Sequence, residues 1–206
     1  MFYGHIGVGL ASKPLAPKTS IGVLLIAATT IDTLWGIFFG FGMEKASVNA
    51  WTHGLFMSVI WSILAFIVVL IISRNVKISV ILALLVFSHW ILDFISHPMG
   101  MGKSLPKDLP LFFNSSPKVG LGLYNSVAAA LISEFGLLAG GIVLYLKKTK
   151  AIDRTGKWAF AVLIVFLALF PLSAHLPSQL QFLPTIITVI MLPLGIWIDR
   201  HREYIA

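Results

Sequence analysis

The 206-residue chain contains no cysteine, which excludes a disulfide framework, a thiolate metal site and a cysteine nucleophile. Charge is scarce as well: 11% of residues are Asp, Glu, Lys or Arg, against about 25% in ordinary soluble domains. The hydrophobic share is 58% and the mean hydropathy is +0.94. A chain this short cannot bury so much apolar surface within a water-soluble fold. The composition excludes a soluble enzyme, a disordered chain and a coiled coil. The N-terminus, Met1-Phe2-Tyr3-Gly4-His5, lacks the basic region of a signal peptide. No basic stripe interleaved with aromatics appears, and a nucleic-acid partner is not expected despite the net charge of +7.

What the chain does have is long apolar runs. A bilayer core of roughly 30 Å takes about 20 helical residues to cross. Six runs meet that length, over 19–43, 52–73, 76–97, 121–146, 158–176 and 180–198, and apart from Lys77 at the start of the third they contain no Lys or Arg. The expected fold is all-α, a polytopic membrane bundle of about six transmembrane helices forming one domain over 1–206. Lys13, Lys18, Arg74, Lys77, Lys147, Lys148, Lys150, Arg154, Lys157, Arg200 and Arg202 fall on one side of these runs. Lys45, Lys103, Lys107 and Lys118 fall on the other. Eleven of the fifteen basic residues on one side predict that side, and the C-terminus with it, to be cytoplasmic. The Pro-, Gly- and Ser-rich segment 98–120 then becomes an outside loop, and the inner (plasma) membrane is the expected location.

Residues 1–12 are apolar but too short to span, and Lys13-Pro14-Leu15-Ala16-Pro17-Lys18 reads as a turn. Two placements are open. A half-helix could descend from within the bilayer to that turn, bringing His5 to the depth of Asp32 at 1.5 Å per residue. Alternatively, the segment lies on the membrane surface.

Three acids interrupt the runs: Asp32, Asp93 and Glu134. Each costs about 2.5–3.5 kcal/mol on the insertion scale and calls for a partner inside the bundle. With Lys and Arg absent from the span interiors, histidine is the available partner. His89, Asp93 and His97 follow one another at intervals of four, along one helical face. His53 opens the second run. Under the charge-derived topology these groups and Asp32 meet toward the outer face. Imidazoles with carboxylates and no thiolate form the donor set of a zinc-type divalent site, for one or two ions. The candidate ligands are His5, Asp32, His53, His89, Asp93 and His97, with Asp32 and Asp93 the candidate catalytic carboxylates. Glu134, beside Ser133, reads equally as an interhelical hydrogen-bond site. His175 and His201 read as interfacial.

Taken together, Gly4-His5, Asp32 with Trp35, Trp51-Thr52-His53, Ser88-His89-Trp90-Ile91-Leu92-Asp93 with His97, and Pro117-Lys118-Val119-Gly120-Leu121-Gly122-Leu123-Tyr124-Asn125-Ser126 with Glu134 downstream make a pattern. Asp153-Arg154 and Asp199-Arg200-His201-Arg202 close the last two basic boundaries. In this set the chain resembles, over nearly its whole length, a family of membrane-bound, metal-dependent hydrolases. Familiar members carry Pro-Asp-x-Asp after the first span and His-Arg-Gly before Thr-His. Here Thr29-Thr30-Ile31-Asp32 and Asn49-Ala50-Trp51 stand instead, and Gly54 replaces a serine. One carboxylate and one basic group are fewer. The order His, Asp, His, His-x-x-x-Asp is also that of zinc-dependent phospholipases C, an analogy of ligand order alone.

These readings lead to a metal-dependent hydrolase acting on a membrane lipid or lipid-linked ester or phosphoester at the outer face. The competing reading is a small transporter or proton-coupled channel using the same Asp and His groups, with Pro171, Pro184 and Pro193 breaking the last spans. A third is a scaffold whose polar residues only glue helices together.

Overall fold

The computed structural model describes residues 1–97, 109–113, 117–168 and 183–205. The described chain is helical, with two short strand pairs. Helix α1 is Phe2–Ala11, α2 is Ile21–Ala28, α3 is Thr30–Gly40, α4 is Lys45–Thr52 and α5 is Leu55–Ser73. Helix α6 is Val76–Ser96, α7 is Val127–Lys147, α8 is Arg154–Ala168 and α9 is Leu183–His201. Strand β1 (Leu109–Pro110) pairs antiparallel with β2 (Lys118–Val119), and β3 (Thr149–Ala151) with β4 (Arg202–Tyr204).

Three helices, α5, α6 and α7, are each long and apolar enough to cross a membrane. Ile63, Val68, Ile71, Ile72 and Ile132 stand exposed on α5 and α7. An outward apolar belt of this kind belongs against lipid, and the protein is a helical membrane protein. Arg74, at φ 52°, turns the chain between α5 and α6, and the Asn75 side chain accepts from the Ile78 amide to start α6.

The first expected span is broken rather than continuous. Helices α2 and α3 meet at 64° and together have the length and hydropathy of one span. The cause is local. The Thr29 and Thr30 hydroxyls donate back to the Leu25 and Ile26 carbonyls at 2.9 and 2.8 Å, the pattern by which threonine bends a helix. The second span starts at Leu55, behind the separate short helix α4. Of the fifth and sixth, α8 and α9 are the described parts, with Pro193 inside α9. Residues 169–182, with Pro171 and His175, lie outside the described residues, as do 98–108 and 114–116.

The centre of the bundle is made by its shortest helices. Ile6 and Leu10 of α1 and Ile21, Leu24 and Leu25 of α2 are wholly buried, against Leu82 and Val86 of α6, Leu163 of α8 and Met191 of α9. Of the two placements open to residues 1–12, the structure has the packed half-helix. Glycine permits it. A Cβ on Gly7 would collide with the Leu137 carbonyl, and one on Gly141 with the Gly7 carbonyl. The α1 and α7 backbones therefore touch, as small residues allow between membrane helices. Gly22 and Gly195 do the same for α2 and α9.

At the basic end, β3 and β4 join the foot of α7 to the end of α9. The Asp153 carboxylate accepts from the Gly156 amide, starting α8, and meets His201 Nδ1 at 2.8 Å. The hydrogen bond from His201 holds Asp153 below the usual carboxylate range.

Gly141→Leu is expected to cost at least the roughly 1–3 kcal/mol of overpacking, because backbone lies in its path. Gly140→Leu, one position away with nothing within 4 Å, should stay within about 0.5 kcal/mol of wild type. Thermal denaturation of the two variants in detergent makes the comparison. Equal midpoints would remove the close α1–α7 contact.

Candidate metal centre

Four ionisable side chains converge from three elements. Asp32 sits in the first turn of α3, where amides without helical partners and the helix dipole favour a carboxylate. His53 follows the last residue of α4. His89 and Asp93 lie one turn apart on α6. Asp32 and His53 are brought face to face by a bond between their helices, from Trp35 Nε1 to Asn49 Oδ1 at 2.7 Å.

The tautomers can be read from the partners of the other ring nitrogens. His89 Nδ1 lies 3.0 Å from the Ala28 carbonyl, an acceptor only, so Nδ1 carries a proton and Nε2 is the ring nitrogen a metal would take. The Thr52 hydroxyl donates to the Val48 carbonyl at 2.6 Å and accepts from His53 Nδ1 at 2.8 Å. His53 Nε2, 3.3 Å from Asp32 Oδ1, is likewise the nitrogen left for a metal.

Both Nε2 atoms aim at carboxylates. His89 Nε2 lies 3.3 Å from Asp93 Oδ2 and 3.6 Å from Asp32 Oδ1. His53 Nε2 lies 3.3 Å from Asp32 Oδ1 and 3.7 Å from Asp93 Oδ2. Such a contact is satisfied either by a proton on Nε2 donated to the carboxylate or by a cation bound between the two. His89 Nε2 is a buried polar atom with no hydrogen-bond partner. Ligands at about 2.0–2.1 Å from a tetrahedral zinc stand roughly 3.3–3.4 Å apart. The four distances run from 3.3 to 3.7 Å. The residues present fit a divalent metal.

His5 joins from the side. Its ring lies flat on that of His89, centroids 3.6 Å apart and planes 8° apart, and its Nε2 is 3.2 Å from Asp93 Oδ1. The Met1 amino nitrogen is 2.7 Å from the same oxygen. Asp93 thus turns Oδ2 to the quartet and Oδ1 to α1. Two trios have ligand atoms within 4.8 Å of one another, His5-His89-Asp93 and Asp32-His53-His89. His89 belongs to both, and one lone pair serves one ion.

The site is buried on one side and open on the other. The side chains of His89 and Asp93 are 0% and 3% exposed, those of His53 and Asp32 14% and 33%. Access is past Asp32.

Five of the six candidate ligands are therefore brought together. His97, the sixth, ends α6 a turn beyond Asp93, outside both trios; its carbonyl accepts from the Gly122 amide at 2.6 Å. Glu134 has another task. Its carboxylate accepts from the Phe2 and Gly4 amides at 3.1 and 2.8 Å and from the Tyr124 hydroxyl, capping α1 across the bundle. His201 is partnered by Asp153 rather than by nearby Asp199. Sequence reasoning missed the Ala28 carbonyl and Thr52 as orienting groups. Thr52, directly before His53, was the one legible signal.

Fold and site together define a helical membrane protein with a His/Asp cluster set within its bundle. In comparisons with known proteins, no family model, no curated protein and no solved structure matches the chain. What the site does must follow from its own chemistry.

Thr52→Val removes the acceptor that fixes the His53 tautomer while keeping the side-chain shape. Metal affinity should fall about 10–100-fold, as for other groups that orient a metal-binding imidazole. Competition with a chromogenic chelator measures it, and unchanged affinity would rule out the tautomer assignment.

Proposed function

We propose that the protein is a membrane-embedded, metal-dependent hydrolase acting on a lipid or lipid-linked phosphoester or ester. The observation that carries this reading is the convergence of Nε2 of His53 and His89 on two carboxylates at 3.3–3.7 Å, the donor types and spacings of a divalent site. His53, His89 and Asp93 would hold a divalent ion. Zinc suits a donor set of imidazoles and carboxylates better than magnesium does. When bound, such an ion polarises a phosphoryl or carbonyl oxygen and brings the pKa of a water ligand to about 7.

The rest is done by the chain. Ala28 and Thr52 engage Nδ1 of the two imidazoles and aim Nε2 at the carboxylates. His5 holds the far oxygen of Asp93 and covers one face of His89, keeping water from the buried side. Asp32, the most exposed of the four, is placed to complete the ligand set or to take a proton from an incoming water. The open side favours a substrate that arrives from the bilayer or its surface. The resemblance to membrane-bound metal-dependent hydrolases points the same way.

Purified wild type should retain about one zinc per chain and hydrolyse a phospholipid or lipid-phosphate analogue, with activity lost to chelator and restored by zinc. His89→Ala/Asp93→Asn should lose the metal. Asp32→Asn should lower kcat by about 10²-fold or more, the scale of a positioned proton acceptor. Equal, negligible metal in wild type and double variant would sink the proposal. Chelator-insensitive flux in proteoliposomes would favour a transporter.

The orientation belongs to the same proposal: six crossings in an inner membrane, the basic end cytoplasmic and the cluster toward the outer face. With no native cysteine, single cysteines report it directly. Phe41→Cys, at the exposed end of α3, should react with an impermeant maleimide on intact cells. Thr155→Cys, in the first turn of α8, should react only after permeabilisation. The opposite pattern would invert the topology.

A further inference from the structure

The far end of the bundle carries a second constellation, independent of the metal reading. Lys13 lies eight residues beyond His5, about 12 Å along the helical rise. There the turn after α1 meets the last turn of α9 and the β3–β4 pair around a cavity of about 420 Å³. Its polar lining is Lys13, Lys18, Arg200 and Arg202, with Asp199 and Glu203.

Both acids are already matched. Asp199 pairs with Lys13 at 3.2 Å through Oδ1 and accepts from the Ile21 amide at 2.8 Å through Oδ2. Glu203 pairs with Lys150 at 3.0 Å. Three cations remain. Arg202 donates to the Thr149 carbonyl and hydroxyl, each at 3.1 Å, and to the Gly156 carbonyl at 2.9 Å. Those acceptors are neutral, so the guanidinium is held in place with its charge uncompensated. Lys18 and Arg200 are exposed and, among the described residues, make no ion pair. Three unmatched cations around one cavity select an anion.

The cavity is not purely polar. Pro17, Ile152 and Ile196 complete its wall, and Ile196 is exposed on α9 one turn before Arg200. Tyr204 also lines the cavity and Trp197 follows Ile196 on α9, the amphipathic aromatics that favour the edge of the hydrocarbon. An occupant with an anionic head and an adjoining apolar part fits this lining, and basic pockets between helix ends are where anionic headgroups bind.

We propose that this cavity binds a phosphate ester, supplied by an anionic phospholipid whose phosphate lies among Lys18, Arg200 and Arg202 and whose chains run up past Ile196. Arg202 is the fixed anchor. Lys18 and Arg200 close over the phosphate.

Native mass spectrometry of the full-length protein released from lipid discs tests the proposal. The discs are phosphatidylcholine with or without phosphatidylglycerol. Wild type should carry phosphatidylglycerol out of the mixed discs. Lys18→Gln/Arg200→Gln should retain it about 30-fold less, as expected for losing two phosphate-facing cations. Lys18→Arg/Arg200→Lys should keep it. Lys147→Gln/Lys157→Gln, which removes two exposed charges of the same end outside the cavity, should keep it too. A second arm adds inorganic phosphate to protein in neutral detergent and follows the thermal midpoint. Stabilisation of wild type but not of the Gln/Gln variant there, with no retained lipid, would keep the phosphate site and assign it to a soluble ligand. Equal retention by wild type and the Gln/Gln variant, or equal loss in both double-Gln variants, would overturn the site. So would an absence of both retention and stabilisation in wild type.

Discussion

The Nδ1–H of His89 donates to the Ala28 carbonyl at 3.0 Å, and the architecture around the cluster turns on that bond. It fixes Nδ1 of a wholly buried imidazole as a donor. Nε2 is left facing Asp32 and Asp93. The bond is available because the first span breaks after Ala28. In a continuous helix that carbonyl would be directed to the amide four residues on. The bend at Thr29 frees carbonyls of the last α2 turn and begins a new helix whose first-turn amides sit beside Asp32. One local distortion thus supplies both an orienting acceptor for an imidazole and an electropositive setting for a carboxylate.

A second dependence runs through α1. A ten-residue helix is too short to be stable alone in water or to cross a bilayer. It persists because its N-terminal amides find the Glu134 carboxylate and its glycine face lets the α7 backbone approach. Both partners are on α7. The helix that carries no ligand therefore decides whether His5 reaches Asp93 and stacks on His89. Tyr124, bonding the same carboxylate, ties the segment before α7 into this arrangement.

Much of this was legible in the chain, for a clear reason. Ionisable residues are so costly in apolar runs that their positions alone name the cluster, and the spacing of four put His89 and Asp93 on one face. The membrane class and helical fold followed from composition. The break in the first span was legible only in part. Thr29-Thr30 is a weak signal, and threonines in membrane helices commonly bond back without bending them by 64°. The placement of residues 1–12 depended on Gly7 meeting Gly141, a contact across more than 130 positions that no local pattern reports. Glu134 looked like His53 or Asp32, an ionisable group in a span needing a partner. Its partners turned out to be backbone amides, which carry no sequence signature.

The charge arithmetic of the quartet follows from these details. With both imidazoles bound to a metal as neutral ligands, the side chains of Asp32, His53, His89 and Asp93 would carry two formal negative charges. The Met1 ammonium lies against the far oxygen of Asp93, and Lys77 stands at the opposite end of α6. A divalent cation matches that charge with donors at the right separations, and an added carboxylate would overshoot it. Glu134, diverted to cap α1, is kept out of the balance. At the other end the surplus is reversed: three cations surround a cavity whose acids are already paired. A membrane cannot tolerate either imbalance in its hydrocarbon core. The molecule holds its clustered carboxylates inside the bundle and its unpaired cations where the helices end, and under the two proposals each end would take a ligand of opposite sign.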